Sequence, residues 1–239
     1  MKRRVIVAID GPAGAGKSTI AKRLADKLNF VYIDTGAMYR AVALWAAREG
    51  KPWDDLLVME QLARAAEIGL ESHPPRVTLN GEDVTADIRR PEISQGASKV
   101  SAIAGVRRAL VDKQREMAGR VSVVMEGRDI GTVVFPNADV KIFLDASPAE
   151  RAERRVKELA QKPSPAASAP ASKESVLAEM TERDHRDRTR AEAPLMQAPD
   201  ATLVDTTGLT LDEVEEAILK IIRDKTTNGK EHHLTAENS

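Results

Sequence analysis

Residues 5–19 read Val-Ile-Val-Ala-Ile-Asp-Gly-Pro-Ala-Gly-Ala-Gly-Lys-Ser-Thr. A short apolar, β-branched run ends at Asp10, a turn with the spacing G-x-x-x-x-G-K-S follows from Gly11 to Ser18, and a helical pattern continues from Ile20 to Leu28. This order of strand, glycine-rich turn and helix is the context that a phosphate-binding P-loop requires. Glycines let the main chain close around phosphate oxygens, and the amides that open the next helix point at the anion.

The turn predicts which atoms would hold a nucleoside triphosphate. Lys17 would reach the β- and γ-phosphates, and the hydroxyl of Ser18 would be offered to Mg²⁺. The predicted donor-binding residues are Gly11, Pro12, Ala13, Gly14, Ala15, Gly16, Lys17, Ser18 and Thr19. A glycine-rich turn that binds nothing is the alternative. The strand before the turn, the helix after it and the Lys-Ser pair all argue against that alternative.

Composition limits the classes of partner. The chain has 239 residues, with Lys+Arg 36 against Asp+Glu 37 and a formal net charge of −1. This size suits one domain with an insertion, or one large and one small domain. A protein whose main partner is a nucleic acid polymer usually carries a basic excess. Because the whole chain has no such excess, we expect small-molecule partners, with any strong anion site built by local clustering of arginines.

Cysteine content and hydropathy limit the possible metal sites and the expected cellular location. The chain has no cysteine, which excludes disulfides and thiolate metal sites, and its four histidines lack zinc-ligand spacing. No apolar stretch approaches the length of a membrane span, and the N-terminus enters the first strand without a signal peptide. We therefore expect a cytoplasmic protein without a membrane partner.

Apolar, strand-like runs alternate with helical patterns along the chain. The strand-like runs are Val5–Ile9, Phe30–Ile33, Val121–Met125, Val140–Leu144 and Thr202–Val204. The helical patterns are Lys17–Leu28, Ala37–Glu49, Val106–Ala118, Pro148–Ala160 and Leu211–Asp224. The apolar runs are continuous, as in strands that are covered on both faces. The alternation predicts an α/β fold with a mostly parallel sheet, whose ligands collect at the carboxyl ends of the strands.

Three segments depart from this alternation. Residues 72–90 contain two short strand candidates around Asn80-Gly81, and Asn-Gly is a strong hairpin signal, so we expect a small antiparallel insert there. The stretch 162–172 is rich in Ala, Pro and Ser and is typical of a mobile loop within a helical region. From about Thr226 the chain is polar without periodicity, which predicts a disordered tail.

Two polar motifs follow directly on predicted strands. The segment Asp34–Arg40 opens a helix, with Asp34 or Thr35 as N-cap, and sets Arg40 in its first turns. The segment Glu126–Asp129 places a carboxylate where a Walker-B-type acid would hold Mg²⁺ or one of its waters. Each motif alone also fits an interpretation without function, namely a capped surface helix or a solvated pair of opposite charges.

The densest run of charge is Glu182–Arg190. Such a run is often a solvated helix face. However, Arg183, Asp187 and Arg190 stand at i, i+4 and i+7, which places two cations and one carboxylate along one helical stripe. Arginine suits phosphate because its planar fork binds two oxygens at once and stays charged. Arginines gathered at separate strand ends and on this helix suggest that two phosphoryl groups are brought together.

These motifs, in this order, resemble the nucleoside monophosphate kinases and among them the bacterial cytidylate kinase (CMP kinase) family. The resemblance runs from about Val5 to Ile222. It rests on Asp10–Thr19, Asp34–Arg40, Gly127–Val134, Val140–Asp145 and Arg183–Arg190. Together these segments are highly specific, whereas singly only the P-loop is.

The resemblance implies a P-loop nucleoside monophosphate kinase fold with a five-stranded parallel core. It implies a single kinase domain over 1–225, with a monophosphate-binding insert at about 62–105, a helical lid at about 150–190 and a disordered tail over 226–239. The implied reaction is phosphorylation of CMP and dCMP by ATP with Mg²⁺, without a nucleic acid polymer or membrane partner, in a protein we expect to be a monomer. Pyrimidine nucleotide metabolism is the implied setting.

The resemblance also implies site roles. The catalytic set is Lys17, Arg128 and Arg190. Arg40, Arg128 and Arg190 match the clamp on the acceptor phosphate, Ser98, Arg107 and Asp129 match cytosine-reading groups, and Arg183 and Asp187 match groups near the sugar. Thr35 and Tyr39 complete the substrate-binding set, and Arg154 is expected at the triphosphate together with Arg151 and Arg155. Ser98 and Arg107 could also be ordinary helix-face residues.

The sequence is compatible with two modes of metal contact at Glu126 and with more than one function. Glu126 stands where Asp is expected, and a contact with Mg²⁺ through water should tolerate the extra methylene better than direct ligation. The alternative functions are a P-loop kinase of another small acceptor, such as UMP, and a nucleotide-switched binding protein without transferase activity. The latter would carry an Asn/Thr-Lys-x-Asp guanine-reading motif, which the sequence does not contain.

Overall fold

A computed structural model describes residues 3–119, 121–161 and 172–228. Its centre is a five-stranded sheet with the order β2-β6-β1-β7-β8, in which all neighbouring strands run parallel. The strands of this sheet are β1 (Ile6–Asp10), β2 (Val31–Asp34), β6 (Val123–Gly127), β7 (Val140–Asp145) and β8 (Thr202–Asp205). The expected α/β fold with a five-stranded parallel sheet is therefore confirmed.

Eight α-helices lie in the described part of the chain. They are α1 (Lys17–Leu28), α2 (Thr35–Arg48), α3 (Leu56–Ala65), α4 (Pro91–Val100), α5 (Ala104–Ala118), α6 (Pro148–Gln161), α7 (Lys173–Thr189) and α8 (Leu211–Asn228). Alternate residues of β1 face opposite sides of the sheet: Val7 and Ile9 pack in one apolar cluster with α1 and α8, while Ala8 packs in another with α5. The sheet is thus covered on both faces. None of the described helices is long and apolar enough to cross a membrane.

The antiparallel insert is present and has three strands. They are β3 (Ile68–Ser72), β4 (Pro75–Leu79) and β5 (Glu82–Asp83), in the order β3-β4-β5. Asn80 and Gly81 join the last two strands with φ of 50° and 83°, which is why Asn-Gly suits this turn. The predicted hairpin is therefore confirmed, with β3 as an additional strand.

The predicted strands and helices all occur, but their ends differ. The pattern ends each strand at its last apolar residue, whereas pairing continues to Asp10, Asp34 and Gly127, because the ladder joins backbone groups whatever the side chain. Helices α3 and α4 were not predicted. Asp55 caps α3 by accepting from the Val58 N–H at 3.1 Å, and Pro91 opens α4 at a position that favours proline, so both helices carry a start signal.

Two predicted loop boundaries need correction. Helix α8 continues to Asn228, past the expected end at Asp224, and in this last part the Thr226 hydroxyl donates to the carbonyl oxygen of Ile222 at 2.7 Å. The rest of the predicted disordered tail lies outside the described residues. Ser172 belongs to α7 as its N-cap, accepting from the Ser175 N–H at 3.1 Å, and the remainder of the predicted mobile loop also lies outside the described residues.

Candidate active site

The predicted P-loop connects β1 to α1 at the carboxyl edge of the sheet. Gly16 has φ of 90° and immediately precedes α1 without a side-chain cap, so no side chain of its own competes for the first amides of the helix. Gly11 has φ of 149°, and a Cβ there would collide with the carbonyl oxygen of Leu144 on β7. The loop therefore has the backbone shape that an anion site needs, and no side chain caps the amides at the start of α1.

Lys17 lies buried beneath this loop. Its Nζ donates to the carbonyl oxygen of Pro12 at 2.7 Å. Burial and, to a smaller extent, the neighbouring guanidinium groups of Arg128 and Arg183 lower the pKa of Lys17 to about 7, against the opposing charges of Glu126 and Asp10. Lys17 thus lies near Arg128, predicted to clamp the acceptor phosphate, and near Arg183, predicted to lie by the sugar, and an anion would relieve the repulsion between these cations.

Oxygen groups that fit Mg²⁺ lie next to the loop. Ser18 is exposed at the start of α1 and lies beside the carboxylate of Glu126, which also accepts from the Tyr32 hydroxyl at 2.5 Å. Burial and the nearby charge of Asp34 raise the pKa of Glu126. Among the described residues, no three His, Cys, Asp or Glu side chains form a metal cage. A hydroxyl and a carboxylate suit an ion that takes its other ligands from phosphate and water.

Asp187 gathers the acceptor arginines. It accepts from Arg128 Nε at 2.9 Å, and Arg190 Nη1 lies 3.9 Å from its other oxygen. Burial alone would raise the pKa of Asp187, but Arg128 and Arg183 outweigh it and lower that pKa. Burial and the nearby Arg128 lower the pKa of Arg183 to about 10. Arg183 and Asp187 of the predicted stripe therefore face the segment that follows β6, whereas Arg190 lies directly after the last residue of α7 and not on the helix.

Arg40 lies at the rim of this cluster. Its Nη2 donates to Asp34 at 2.7 Å, and Asp34 caps α2 by accepting from the Ala37 N–H at 3.0 Å. In the described structure, seven buried side-chain polar atoms have no hydrogen-bond partner. Four of them belong to predicted substrate residues: Arg40 Nε, Ser98 Oγ, Arg183 Nε and Arg190 Nη2. Buried donors without partners are costly, so their concentration here fits a site that binds a polar ligand.

The predicted base-reading residues form a second buried group. Arg107 on α5 donates to Asp129 and to the carbonyl oxygen of Ser101, the latter at 3.1 Å. Its guanidinium carbon lies 5.7 Å from the ring centre of Tyr39. Arg190 Nη2 lies 3.8 Å from Asp129, which connects this group to the acceptor arginines. Ser98 is buried on α4, and Ser101 donates to its carbonyl oxygen at 2.9 Å.

The remaining predicted residues divide by position. Thr35 donates to the carbonyl oxygen of Glu126 at 2.7 Å, so its hydroxyl holds the start of α2 against β6. Arg154 donates to the carbonyl oxygen of Thr206 at 2.8 Å and lies beside Gly16 of the P-loop. Arg155 is half exposed and pairs with Glu158. Arg151 is buried, and its guanidinium contacts main-chain oxygens and Asp184.

Three polar residues at the site were not singled out from the sequence. Asp10, at the end of β1, accepts from the N–H groups of Ile130 and Gly131, both at 2.8 Å, and burial raises its pKa to about 6. Tyr32 holds Glu126, and Asp184 contacts the P-loop. Only Asp10 gives a sequence signal, namely a charged residue that ends an apolar strand immediately before the P-loop.

A P-loop and a buried lysine that face clustered arginines across one sheet edge define a P-loop kinase. A solved structure of an uncharacterized protein from Eubacterium ventriosum ATCC 27560 shares this fold, with a TM-score of 0.50 and 14% identity. The match covers 92% of this chain and 98% of that one.

The chain belongs to the cytidylate kinase family, whose model, described as "Cytidylate kinase", matches residues 7–224. It is 64% identical over 230 residues to the cytidylate kinase of Solibacter usitatus (strain Ellin6076), covering 96% of this chain and 97% of the relative. It is 50% identical over 220 residues to the cytidylate kinase of Desulforamulus reducens (strain ATCC BAA-1160 / DSM 100696 / MI-1), covering 92% and 97%. The resemblance inferred from the motifs is thereby confirmed.

Proposed function

We propose that the protein transfers the γ-phosphoryl group of ATP to CMP, and to dCMP, giving ADP and the corresponding diphosphate. An oxygen of the acceptor phosphate forms the new bond to the γ-phosphorus, and the bond from that phosphorus to the β–γ bridging oxygen breaks. The observation that carries this proposal is the buried arginine cluster around Asp187 beside the P-loop, in which Arg183 Nε and Arg190 Nη2 have no hydrogen-bond partner. Membership of the cytidylate kinase family supports the choice of acceptor.

In this proposal the donor is held by main-chain amides of the P-loop. Lys17 would bind the β- and γ-phosphates, and Arg154, which lies beside Gly16, would also contact the triphosphate. Mg²⁺ bound with ATP would neutralise phosphate charge, with Ser18 as a ligand and Glu126 holding one of its waters. No protein nucleophile is required, because the acceptor oxygen already carries charge at neutral pH.

The acceptor would be held by guanidinium groups. Arg40, Arg128 and Arg190 would neutralise its phosphate, so that one anion can approach another, and positioned cations of this kind contribute several powers of ten in rate. Asp187 accepts from Arg128 and lies close to Arg190. We propose that the acceptor phosphate, when it binds, replaces part of the contact between these arginines and Asp187. Asp187 and Arg183 would then lie beside the sugar.

Base recognition would come from the buried group around Asp129. A carboxylate accepts from the exocyclic amine of cytosine, whereas uracil presents a carbonyl there and leaves the carboxylate unmatched. Arg107 holds Asp129, and Ser98 brings a hydroxyl without a partner. Thr35 and Tyr39 complete this set.

We also propose a role for two segments of the chain. Residues 62–105, which contain α4, would form the acceptor insert, and residues 150–190, which contain most of α6 and all of α7, would form the lid.

The setting is also part of the proposal. Both substrates are small nucleotides, so we propose a cytoplasmic monomer that acts in pyrimidine nucleotide metabolism. The formal net charge of −1 supports small-molecule substrates over a nucleic acid polymer.

Initial rates with CMP, dCMP, UMP and AMP as acceptors, followed by ADP release, test the proposed function. CMP and dCMP should give the highest kcat/KM. A best rate with UMP or AMP would reject the cytosine assignment. A steady ATPase rate that no monophosphate changes would instead support a nucleotide-switched binding protein.

A further inference from the structure

The main-chain N–H and carbonyl oxygen of Ala13, within the P-loop, are held by α7 and α6 respectively. Its N–H donates to Asp184 Oδ1 at 3.3 Å, and its carbonyl oxygen accepts from Arg151 Nη1 at 2.9 Å. The same nitrogen of Arg151 lies 2.6 Å from Asp184 Oδ2, so the three groups form a closed ring. Arg151 and Asp184 are only 6% and 8% exposed. Asp184 comes from a position 171 residues after Ala13, so tertiary folding makes this contact.

Apolar packing reinforces the ring. Ala13 packs against the small cluster formed by Ala152, Val176 and Met180. A Cβ on the neighbouring Gly14 would lie 2.6 Å from Met180 Cε and 3.1 Å from the Arg151 carbonyl oxygen. The two helices therefore contact the P-loop directly, so a displacement of either helix would also displace the loop.

The same helix carries acceptor groups. Asp184 directly follows Arg183 and precedes Asp187 by less than one turn of α7. The residue that contacts the P-loop, Asp184, is therefore adjacent on the helix to residues of the proposed acceptor site. Because a helix is stiff over this length, the contact at Ala13 fixes where Arg183 and Asp187 lie relative to the donor loop.

We propose that Arg151 and Asp184 are positioning residues that fix the P-loop through the main-chain N–H and carbonyl oxygen of Ala13 and set the spacing between the donor loop and the acceptor arginines. This inference rests on the proposed function for its kinetic consequences. A purely stabilising role is the competing explanation, although a buried ion pair is weak evidence for stability, since apolar replacements of such pairs are often neutral or stabilising. That property allows the two roles to be separated.

The deciding experiment compares the single variants Arg151→Met and Asp184→Asn with the double variant Arg151→Met/Asp184→Leu. Melting temperature, kcat at saturating ATP and CMP, and the Kd of ATP are measured for each. The single variants should lose stability by leaving a buried charge without its partner. The double variant should regain stability, yet its kcat should stay about 10- to 100-fold below wild type, because small misplacements of reacting groups have effects of this size. Its Kd for ATP should rise about tenfold.

A double variant that melts like the wild type and keeps kcat within about twofold of it would overturn the proposal, because the pair would then only stabilise the fold. If the double variant does not fold, Arg151→Lys replaces it. Lysine keeps the charge but cannot present the guanidinium fork, so a folded Arg151→Lys protein should show a lowered kcat, and an unchanged kcat would again contradict us. Glu153→Gln on the exposed face of α6 serves as the control, because it removes only exposed ion pairs with Lys157 and Lys173 and no contact with the P-loop.

The ATP arm separates this inference from the proposed function. Calorimetric titration with ATP in the absence of any acceptor does not depend on CMP being the substrate. If the wild type transfers nothing to CMP, the proposed function fails, and the Kd of ATP alone decides: a rise of about tenfold in the double variant supports the positioning role and an unchanged Kd refutes it.

Discussion

The donor loop and the acceptor cluster are built in opposite ways. The donor loop uses main-chain amides and one lysine from the consecutive residues Gly11–Ser18. The acceptor cluster takes its guanidinium groups from Arg40 at the start of α2, Arg128 after β6 and Arg190 after α7. A contiguous site depends mainly on local backbone geometry, whereas a dispersed site depends on the whole fold. Damage to one should therefore be separable from damage to the other.

The largest effect is expected from removal of the donor lysine. Lys17→Met should lower kcat about 10³-fold and weaken the binding of ATP, because the positive charge that stabilises the transferring phosphoryl group is lost. Steady-state kinetics and ATP titration check this result. Lys220→Met, on the exposed face of α8, is the control and should match the wild type. An active Lys17→Met enzyme would remove the lysine from the donor site.

The acceptor side should respond differently. Arg190→Ala should lower kcat about 10²- to 10³-fold while leaving the Kd of ATP within about twofold of wild type, since Arg190 lies among Asp129 and Asp187 and not in the P-loop. Calorimetry with ATP and a rate assay with CMP measure the two quantities. Arg188→Ala, exposed in the last turn of α7, is the matched control. Loss of ATP binding in Arg190→Ala would mean that the two sites are assigned wrongly.

Base selection should change with a single atom. Asp129→Asn should lower kcat/KM for CMP about 10- to 100-fold and affect UMP less, because the amide replaces one acceptor oxygen by a donor. Rates with both monophosphates give the ratio. Asp112→Asn, exposed on α5, should leave that ratio unchanged. Equal losses for CMP and UMP would show that Asp129 does not read the base.

A smaller, pH-dependent effect is expected at the donor site. The pKa of Lys17 is about 7 in the free protein, lowered by burial and by neighbouring arginines. Bound phosphate should raise it, so ATP binding takes up a proton, and the Kd of ATP should rise up to tenfold per unit between about pH 7.5 and 9. Calorimetry in buffers of different ionisation enthalpy detects the uptake. Lys17→Arg should flatten the dependence, and a flat wild-type profile would contradict it.

The smallest change is expected at Glu126. Glu126→Asp shortens the carboxylate by one methylene and restores the residue expected from the motif, at the cost of the Tyr32 hydrogen bond. Through a water, the metal contact should tolerate either length, so kcat should change by about threefold or less. A Mg²⁺ titration of the rate checks this. A loss comparable to that of Lys17→Met would indicate direct ligation by Glu126.

The same contrast explains what could be predicted from the sequence. The donor loop and the five central strands were predictable, because glycine turns and apolar runs are local signals. Helix α4 was not, since its Ser and Gly residues are weak helix formers and only Pro91 marks its start.

The pairings of the acceptor site were also hidden. Arg128 and Asp187 are 59 residues apart, and Arg107 and Asp129 are 22 apart, so only the folded sheet and helices bring them together. Arg151 shows the limit most clearly: its position in the chain suggested a triphosphate ligand, whereas its guanidinium holds Ala13 and Asp184. The catalytic and binding roles of the individual residues remain predictions.

The central claim is that a donor held by the P-loop and an acceptor held by dispersed arginines lie end to end. Inhibition by cytidine and adenosine joined through a chain of five phosphates tests it most directly, because one such molecule would fill both sites at once. We predict inhibition that is competitive against ATP and against CMP, with a Kd well below that of either nucleotide. Competition with only one substrate, at an affinity no better than that of the single nucleotide, would contradict the account.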